Sequence, residues 1–371
     1  MSLRIGIDAS RVGTGHRTGT EQYSAHLLEA LGALDKRHQY SLYVNSRQRP
    51  ALNLPANFRA RLIPFRRLWT HTRLSLEMLG RAPDLLFVPA HVVPLAHPRT
   101  VVTLHDLGYR AFPGAHPWRS RQYLDWSTRW SAAVAKQIIV PSAATARDLD
   151  AAYGTPHEKI TVVPHGFHPR FRPLPAGEVT SGLIRLGLTQ PYILVVGTLQ
   201  PRKNLARILA AFEQLCARGI PHRLVLVGQR GWLTDPIFAA IGHPESPAYG
   251  RIDITGYLPD DDLPLVFNGA AALAFPSLYE GFGLPALEAL ACGTPVLTSN
   301  TTALPEVVGE AALTVDPLDT DAITEGLLRI VSDAALRAEL RTLGLAQAQK
   351  FSWRRAAEQT LKVLEDVIRE D

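Results

Sequence analysis

Short apolar runs recur along the chain, and each is followed by a polar or glycine-bearing turn and then by a segment whose apolar residues have helical spacing. Continuous apolar runs of this kind are typical of strands that are buried on both faces of a parallel sheet. The predicted strands are Arg4–Asp8, Tyr40–Asn45, Arg61–Ile63, Asp84–Pro89, Thr100–Leu104, Gln137–Val140, Thr161–Val163, Tyr192–Val196, Leu224–Val227, Ile252–Thr255, a run ending at Phe275, Pro295–Thr298 and Ala312–Val315. Strands that alternate with helices predict an α/β fold.

Proline and glycine become dense in residues 168–177, HPRFRPLPAG. Such a segment holds neither a helix nor a central strand, so we expect it to link two domains. A length of 371 residues also exceeds what one hydrophobic core usually organises. We therefore predict an N-terminal domain over 1–170, a C-terminal domain over 171–350, and an amphipathic helix over 351–371 with Ser352 as its N-cap.

The segment from Phe275 to Asn300 joins a buried strand to a helix through a glycine-bearing loop, with Pro285 in the first helical turn and Gly293 closing the helix. Glycines let backbone N–H groups approach a ligand, and a helix start adds unpaired donors, so the loop predicts an anion site. Glu280 in the loop and Glu288 in the helix would repel phosphate and suit sugar or ribose hydroxyls instead. An ordinary glycine-rich turn with two structural glutamates is the alternative.

Two cations precede another helix in the C-terminal half. Arg202 and Lys203 follow Gly197 and lie immediately before the helix predicted over Leu205–Arg218. Because cations at a helix start oppose the helix dipole, we expect them to serve an anion that needs both. Further along, Asp260–Asp262 is predicted to cap a helix rather than to bind metal.

Other strand ends carry further candidate binding residues. The loop 14–20 precedes a helix and has Gly19 nearest the helix start, which is typical of a phosphate-binding turn and equally of an ordinary tight turn. His105 ends a predicted strand, where open α/β sheets bind ligands, and a structural role is the alternative. Two more strand-to-loop junctions fall at Gly228 and at residues 256–258, Gly-Tyr-Leu.

The net charge of +5 conceals an asymmetry. Residues 1–170 hold 22 Lys and Arg against 11 Asp and Glu, whereas the remainder holds 17 against 23. A basic half favours an anionic partner such as a membrane surface, a lipid-linked phosphate or a nucleic acid, and a solvated surface is the alternative. Residues 58–81 carry six arginines among apolar residues at helical spacing, which is typical of an interfacial membrane helix and also of a helix packed on its sheet.

Composition narrows the class of protein. Hydrophobic residues make up 46% and charged residues 20%, as in globular proteins. No apolar run approaches the roughly 20 residues that span a bilayer, and the N-terminus lacks the pattern of a signal peptide, so we expect a cytoplasmic protein. The two cysteines, Cys216 and Cys292, have no CxxC or histidine-rich spacing, which predicts neither a disulfide framework nor a metal site. No nucleic-acid-binding module is recognisable.

Glu280 and Glu288 form an E-x7-E pair within EGFGLPALEALACGTPV, and with this motif the chain resembles the retaining glycosyltransferases of family 4. The resemblance covers nearly the whole chain, because other segments fit in the same order: TGTEQY, His105-Asp106, PSAAT, VVPHG, VGTLQPRKN and FSW. It implies the GT-B fold, an α/β architecture of two Rossmann-like domains with parallel sheets that face each other across a cleft. In such a fold the N-terminal domain binds the acceptor, the C-terminal domain binds a nucleotide-sugar donor, and the last helix packs back on the N-terminal domain.

The resemblance also implies roles for matching residues. Glu280 would accept hydrogen bonds from donor-sugar hydroxyls and Glu288 from the ribose. Arg202 and Lys203 would neutralise the departing diphosphate, and His105 would lie near the reacting carbon, so the expected catalytic residues are His105, Glu280, Arg202 and Lys203. The other residues expected to contact the nucleotide sugar are Gly19, Gly197, Gly228, Tyr257, Leu258, Gly281, Phe282, Gly283 and Leu284. The loop at Gly19 departs from the family, since many relatives are more glycine-rich there.

From this resemblance we expect a retaining hexosyltransferase that moves mannose, or next glucose, from GDP-mannose or a UDP-sugar to a saccharide or lipid-linked saccharide in polysaccharide or glycoconjugate synthesis. Fixed cations and helix N–H groups can stabilise the leaving diphosphate, so we expect no metal or other cofactor. No enzyme nucleophile is identifiable, which favours a front-face substitution. The basic N-terminal half is compatible with peripheral contact at the inner membrane face.

The sequence leaves other functions open. A sugar-phosphate-forming synthase or a nucleotide-sugar epimerase would keep the fold and change the reaction. A non-catalytic nucleotide-sugar-binding protein is a third possibility. The joint presence of Glu280, Arg202, Lys203 and His105 argues against the last, because a degenerate copy usually loses some of them.

Overall fold

A computed structural model describes residues 2–12, 19–48, 50–65, 67–115, 117–231 and 243–369. The chain divides into two compact units. Unit 1 comprises Met1–Gly166 together with Phe351–Asp371, and unit 2 comprises Phe167–Lys350. Unit 1 is therefore built from two separate stretches of sequence.

Unit 1 contains a seven-stranded parallel sheet. Its strands are β1 (Arg4–Asp8), β2 (Gln39–Val44), β3 (Phe58–Leu62), β4 (Leu85–Val88), β5 (Thr100–Thr103), β6 (Gln137–Val140) and β7 (Ile160–Val162). They pair in the order β3-β2-β1-β4-β5-β6-β7, with Ile5 opposite Tyr40 on one side and Leu85 on the other. The helices of its first stretch are α1 (Gly19–Leu34), α2 (Ser75–Arg81), α3 (Gly108–Ala111), α4 (Trp118–Val134) and α5 (Ala143–Tyr153).

Unit 2 contains a six-stranded parallel sheet. Its strands are β8 (Tyr192–Val196), β9 (Arg223–Val227), β10 (Ile252–Gly256), β11 (Ala272–Phe275), β12 (Val296–Ser299) and β13 (Leu313–Val315), in the order β10-β9-β8-β11-β12-β13. Its helices are α6 (Ala176–Arg185), α7 (Leu205–Ala217), α8 (Leu263–Gly269), α9 (Leu284–Cys292), α10 (Leu304–Val308), α11 (Thr320–Ser332) and α12 (Ala334–Ala348).

Both sheets reverse their strand order beside the central strand, between β1 and β4 in unit 1 and between β8 and β11 in unit 2. This is the Rossmann arrangement, in which ligands bind outside the carboxyl ends of the strands at the point of reversal. The apolar strand residues supply the cores. In unit 2, for example, Ile193 and Leu226 are buried against Phe212 of α7. The predicted α/β class with parallel sheets is confirmed.

The end of the chain completes unit 1. Helix α13 (Trp353–Arg369) packs along α1. Ser352 accepts a hydrogen bond from the Arg355 N–H at 3.2 Å, which confirms the predicted N-cap. Gly166 is required at the crossing, because a Cβ there would lie 2.0 Å from the backbone nitrogen of Trp353.

The structure corrects the interpretation of residues 58–81 as one helical segment. Phe58–Leu62 is strand β3, so the strand predicted at Arg61–Ile63 begins earlier, and helical structure starts only with a π-helical turn at Thr70–Leu74. Parallel pairing with β2 explains the difference, since Phe58 lies opposite Tyr40 and their rings stack at 4.1 Å. This long-range contact overrides the local spacing.

The predicted linker at 168–177 is also corrected. Phe171 is 5% exposed, and its ring centre lies 5.7 Å from that of Phe267 in α8. The Asn268 side chain accepts a hydrogen bond from the Leu174 N–H and donates one to the Arg172 carbonyl, both at 2.9 Å. The segment is therefore an irregular but packed part of unit 2.

Asp262 stands at the N-cap position of α8, as predicted, but its side chain makes no capping hydrogen bond. It pairs instead with Arg185 of α6, at 2.5 Å between Nη2 and Oδ1. Its neighbour Asp261 pairs with Arg170. The acidic residues here join segments of unit 2 rather than satisfy the helix start.

Candidate active site

The candidate site of unit 2 lies where its strand order reverses. The carboxyl ends of β8 and β11 are neighbours there, and the two loops that follow are tied together by a hydrogen bond from the Leu278 N–H to the Arg202 carbonyl at 2.9 Å. Lys203 Nζ lies 2.6 Å from Glu280 Oε1. Arg202 Nη1 lies 3.4 Å from Glu280 Oε2 and donates to the Tyr279 carbonyl at 3.0 Å. Three of the four predicted catalytic side chains therefore meet at one point.

Glu280 is a buried carboxylate, with 7% of its surface exposed. Burial raises the pKa of Glu280, but the positive charges of Lys203 and Arg202 outweigh this effect and bring the pKa below its usual range. Glu280 is therefore ionised at neutral pH. Lys203 is further held by the Phe275 ring, whose centre lies 4.7 Å from Nζ.

Two residues that the sequence analysis did not single out fix these loops. Asn204 has a left-handed backbone with φ of 61°, which asparagine tolerates, and its side chain donates to the carbonyls of Pro276 at 2.9 Å and Pro317 at 2.6 Å. Thr302, with φ of 59°, accepts a hydrogen bond from the Glu280 N–H at 3.3 Å. An asparagine directly before a helix was the only local signal for Asn204.

The predicted glycines have structural reasons of their own. Gly197 and Gly228 both have positive φ, of 133° and 141°, and a Cβ at Gly228 would lie 2.0 Å from the Gly197 carbonyl oxygen. Gly283 has φ of 112° at the N-cap of α9, and a Cβ there would meet Leu304 at 2.6 Å. These positions need glycine whether or not a ligand is bound.

The start of α9 leaves backbone donors available beside Glu280. The N–H groups of Ala286 and Leu287 bond to the Gly283 carbonyl, and Pro285 has none. For the N–H groups of Gly283 and Leu284, the described residues offer no hydrogen-bond acceptor. A helix start with open donors attracts anionic or hydroxyl oxygens.

Glu288 lies further along α9 and is partly buried. Burial, reinforced by Asp260 and opposed by Arg170, raises the pKa of Glu288 to about 8. A protonated carboxyl both donates and accepts hydrogen bonds, as vicinal hydroxyls do. Within the described chain, no hydrogen bond or ion pair joins Glu288 to Glu280.

The remaining predicted contacts of unit 2 lie in loops. Tyr257 and Leu258 follow the end of β10, where Tyr257 is exposed and Leu258 is partly buried. Gly281 and Phe282 are buried in the loop that leads into α9.

In unit 1, His105 lies just after β5. Its Nε2 donates to the Pro89 carbonyl at 2.8 Å, and its ring meets Tyr23 edge-on at 4.6 Å between centres. Burial and the neighbouring His91 lower the pKa of His105 to about 3, so the ring is neutral at physiological pH. Because a carbonyl can only accept, the proton is on Nε2 and Nδ1 is an acceptor.

Gly19 is the first residue of α1, and a Cβ there would meet nothing within 4 Å. The packing of the described residues therefore does not explain this glycine, in contrast to Gly197 and Gly228. The rest of the predicted loop, residues 14–18, lies outside the described residues.

The described residues also bear on metal and membrane sites. In the described ranges, no group of three or more His, Cys, Asp or Glu side chains is placed to hold a metal ion. None of the helices in those ranges is both long and apolar enough to cross a membrane.

Comparison with known proteins identifies the family. A family model described as Glycosyltransferase Family 4 matches residues 17–171, and one described as Glycosyl transferases group 1 matches residues 184–345. The O-antigen chain mannosyltransferase B of Escherichia coli is 35% identical over 294 residues, covering 78% of this chain and 77% of that protein. The MMP alpha-(1->4)-mannosyltransferase of Mycolicibacterium hassiacum is 32% identical over 246 residues, covering 63% and 56%.

Solved structures resemble the whole chain. Sucrose-phosphate synthase from Thermosynechococcus elongatus superposes with a TM-score of 0.80 at 21% identity, with 100% of both chains covered. Anabaena HepE in complex with UDP and glucose gives a TM-score of 0.76 at 16% identity, covering 98% of this chain and 100% of that one. At these identities the likeness concerns the fold, which is GT-B with two Rossmann-like units.

The fold and the relatives define a glycosyltransferase. The chain belongs to glycosyltransferase family 4, as its E-x7-E segment indicated.

Proposed function

We propose that this protein is a retaining mannosyltransferase that transfers mannose from GDP-mannose to a saccharide or lipid-linked saccharide acceptor, without a metal ion or other cofactor. The observation that carries the proposal is the cluster of Lys203, Arg202 and Glu280 at the point of strand reversal in unit 2. The names of two relatives, both mannosyltransferases, support mannose as the sugar.

Lys203 and Arg202 act on the leaving group. A glycosidic C–O bond breaks more readily when the charge that develops on the diphosphate meets cations already in place. Here Glu280 holds both cations before substrate arrives. On donor binding, the diphosphate takes over the two cations and leaves the Glu280 carboxylate to accept hydrogen bonds from sugar hydroxyls.

The open N–H groups of Gly283 and Leu284 add neutral donors for the sugar and phosphate oxygens. Glu288, protonated over much of the physiological range, bonds the two hydroxyls of the ribose. Tyr257 and Leu258 lie against the base. In this arrangement the cations bind the phosphate groups, and the carboxyl groups of Glu280 and Glu288 bind hydroxyls.

His105 of unit 1 accepts a hydrogen bond from a hydroxyl of the sugar substrate through Nδ1, because Nε2 is engaged by Pro89. A neutral ring at this position cannot act as an acid at physiological pH. The acceptor hydroxyl then attacks on the face from which the diphosphate leaves, which retains the anomeric configuration.

We further propose that the protein works in the cytoplasm with unit 1 against the inner membrane surface. Four large apolar side chains of residues 58–81 are more than half exposed, namely Phe65, Leu68, Leu76 and Leu79. Arginines lie among them in the sequence, and this combination suits an anionic lipid interface.

A glucosyltransferase that uses a UDP-sugar is the second candidate. HepE, which shares the fold, is described in complex with UDP and glucose. Nothing in the loop at Phe282 and Leu284 separates the two donors by chemistry.

The test is nucleotide release from GDP-mannose, UDP-glucose and ADP-glucose without acceptor, in the presence of EDTA. We expect GDP release from GDP-mannose, and release slowed by about 100-fold or more in the Lys203→Ala variant. The matched control is Arg329→Ala, which removes an exposed cation from α11. If the unaltered protein neither binds nor cleaves any donor, the transferase proposal fails, and loss of activity with EDTA overturns metal independence.

A further inference from the structure

Unit 1 carries a pocket of about 300 Å³ between α3 and α4. We call it the arginine pocket, and its lining residues are Tyr109, Arg110, Pro113, Arg121, Gln122, Asp125 and Arg129. Arg121, Asp125 and Arg129 are spaced four residues apart on α4 and so share one helix face. Helix α3 begins three residues after His105, so the pocket follows β5 at the same end as that histidine.

The one acid of the pocket is already paired. Asp125 Oδ1 accepts from Arg110 Nη1 at 2.8 Å and from the Tyr153 hydroxyl at 2.9 Å. The Tyr153 hydroxyl in turn lies 2.6 Å from that of Tyr109. Asp125 therefore neutralises Arg110 and is held in place by a tyrosine pair.

Two positive charges are left over. The guanidinium groups of Arg121 and Arg129 make no ion pair or hydrogen bond to any residue that the structure describes. Arg129 lies with its guanidinium carbon 5.6 Å from the centre of the Tyr153 ring, and Arg110 lies 5.1 Å from the same centre. One aromatic ring thus holds two guanidinium groups near each other before any ligand binds.

Like charges gathered in one pocket repel each other, and an anion removes that repulsion. A surplus of two charges matches phosphate, which brings up to two negative charges, better than carboxylate, which brings one. The planar fork of arginine also fits phosphate oxygens in pairs. The exposed side-chain amide of Gln122 adds a neutral N–H donor for a phosphate oxygen.

We propose that the arginine pocket binds a phosphate group. If the proposed transferase function holds, this phosphate belongs to the acceptor, because the cations proposed for the donor diphosphate lie in unit 2. The same chemistry is offered by the headgroup of an anionic membrane lipid, and the test separates the two sources.

The test is calorimetric titration of the full chain with inorganic phosphate. We expect the double variant Arg121→Ala/Arg129→Ala to lose one class of sites or to bind it at least tenfold more weakly, while Lys203→Ala keeps that class. Arg119→Ala is the matched control, because Arg119 is an exposed arginine of α4 outside the pocket. The double variant Arg121→Lys/Arg129→Lys, which keeps the charge but not the fork, should bind with intermediate affinity.

Two further arms identify the source of the phosphate. Competition by mannose 6-phosphate at least tenfold stronger than by inorganic phosphate, and lost in the alanine double variant, supports an acceptor phosphate. Sedimentation of the unaltered protein, but not of the alanine double variant, with vesicles of equal parts phosphatidylcholine and phosphatidic acid supports a lipid headgroup. Identical behaviour of the unaltered protein and the alanine double variant in all three arms overturns the inference and leaves a solvated arginine surface.

Failure of the proposed transferase function can be distinguished from failure of the phosphate site. Nucleotide release from donor without acceptor tests the cations of unit 2 through Lys203→Ala, whereas the phosphate titration tests the arginine pocket. If no donor is turned over at all, the phosphate titration still decides whether the pocket binds an anion.

Discussion

Units 1 and 2 differ in how they hold the cations that we propose to bind anions. In unit 2, Lys203 and Arg202 are largely buried and close on Glu280, a carboxylate of the protein itself. In unit 1, Arg121 is half-buried and Arg129 is exposed, and neither forms an ion pair with a carboxylate of the described residues. The difference follows from burial, since a cation removed from water needs a counter-charge and an exposed one does not.

This contrast predicts how each place responds to an anion. In unit 2 the ligand must displace an internal carboxylate, so binding and rearrangement are coupled. In unit 1 an anion adds to Arg121 and Arg129, which form no ion pair with the described residues, and its binding should fall more steeply with salt. The largest effects are expected at the buried cluster of unit 2 and the smallest in the arginine pocket.

Lys203→Ala should lower the transfer rate by about 100- to 1000-fold, the loss usual for one electrostatic stabiliser of a transition state. It removes the 2.6 Å contact with Glu280 and leaves that buried carboxylate to Arg202 alone. Steady-state kinetics with the proposed donor measure the effect, and circular dichroism checks the fold. Near-normal turnover in a folded variant contradicts the role given to unit 2.

Glu280→Gln should separate the two roles of the cluster. Transfer should fall on the order of 100-fold, because an amide replaces the hydroxyl-accepting carboxylate. Binding of the nucleoside diphosphate should be as tight as before or tighter, since Lys203 and Arg202 no longer have a competing partner. Calorimetry measures the binding, and weaker diphosphate binding would show that Glu280 does not compete for the cations.

Asn204→Ala should destabilise the protein by about 2–4 kcal/mol, since two buried carbonyls lose their donor and alanine is unfavourable at positive φ. Asn204→Gly, which tolerates that backbone, should lose less. Urea denaturation measures both variants. Equal losses in the two variants would mean that the left-handed backbone contributes nothing.

Glu288→Gln should change how stability depends on pH. The folded state keeps a proton on Glu288 up to about pH 8, whereas the unfolded chain releases it near the ordinary value of 4.5. The stability that this proton contributes is therefore present at low pH and is lost as pH rises between these values, by at most about 1.4 kcal/mol per pH unit. Urea denaturation across that window, with the difference between wild type and variant, checks the sign. A difference that does not vary with pH contradicts the raised pKa.

Asp125→Asn is the counterpart of Glu280→Gln in unit 1. It frees Arg110 in the arginine pocket, so phosphate should bind a few-fold more tightly. The effect is small because the Arg110–Asp125 pair is partly exposed and such pairs contribute about 0–1 kcal/mol. Phosphate titration at two salt concentrations measures it, and weaker binding would count against the pocket.

Local chemistry made much of unit 2 predictable. The helix α9 carries its own start and stop signals, and the structure places Pro285 in its first turn and Gly293 at its left-handed end. The apolar run Tyr192–Val196 was predicted with the bounds that β8 has. In each case the residues that decide the structure are neighbours in sequence.

Contacts between residues that are far apart in sequence could not be predicted from local patterns. Lys203 and Glu280 are 77 residues apart, so only the E-x7-E resemblance, and no local pattern, brought them together in advance. Asp262 has the residue type of an N-cap, but Arg185 competes for its carboxylate. The strand at Phe58–Leu62 is decided by β2, and no spacing within residues 58–81 encodes that partner.

The two-part construction of unit 1 has a consequence for the order of folding during synthesis. Gly166 contacts Trp353, and the whole of unit 2 is translated between them. At about 5–20 residues per second, the ribosome delivers α13 roughly 10–40 s after Gly166. For that interval the emerging unit 1 presents the surface of α1 that α13 later covers, while unit 2 can already fold from a continuous stretch of chain.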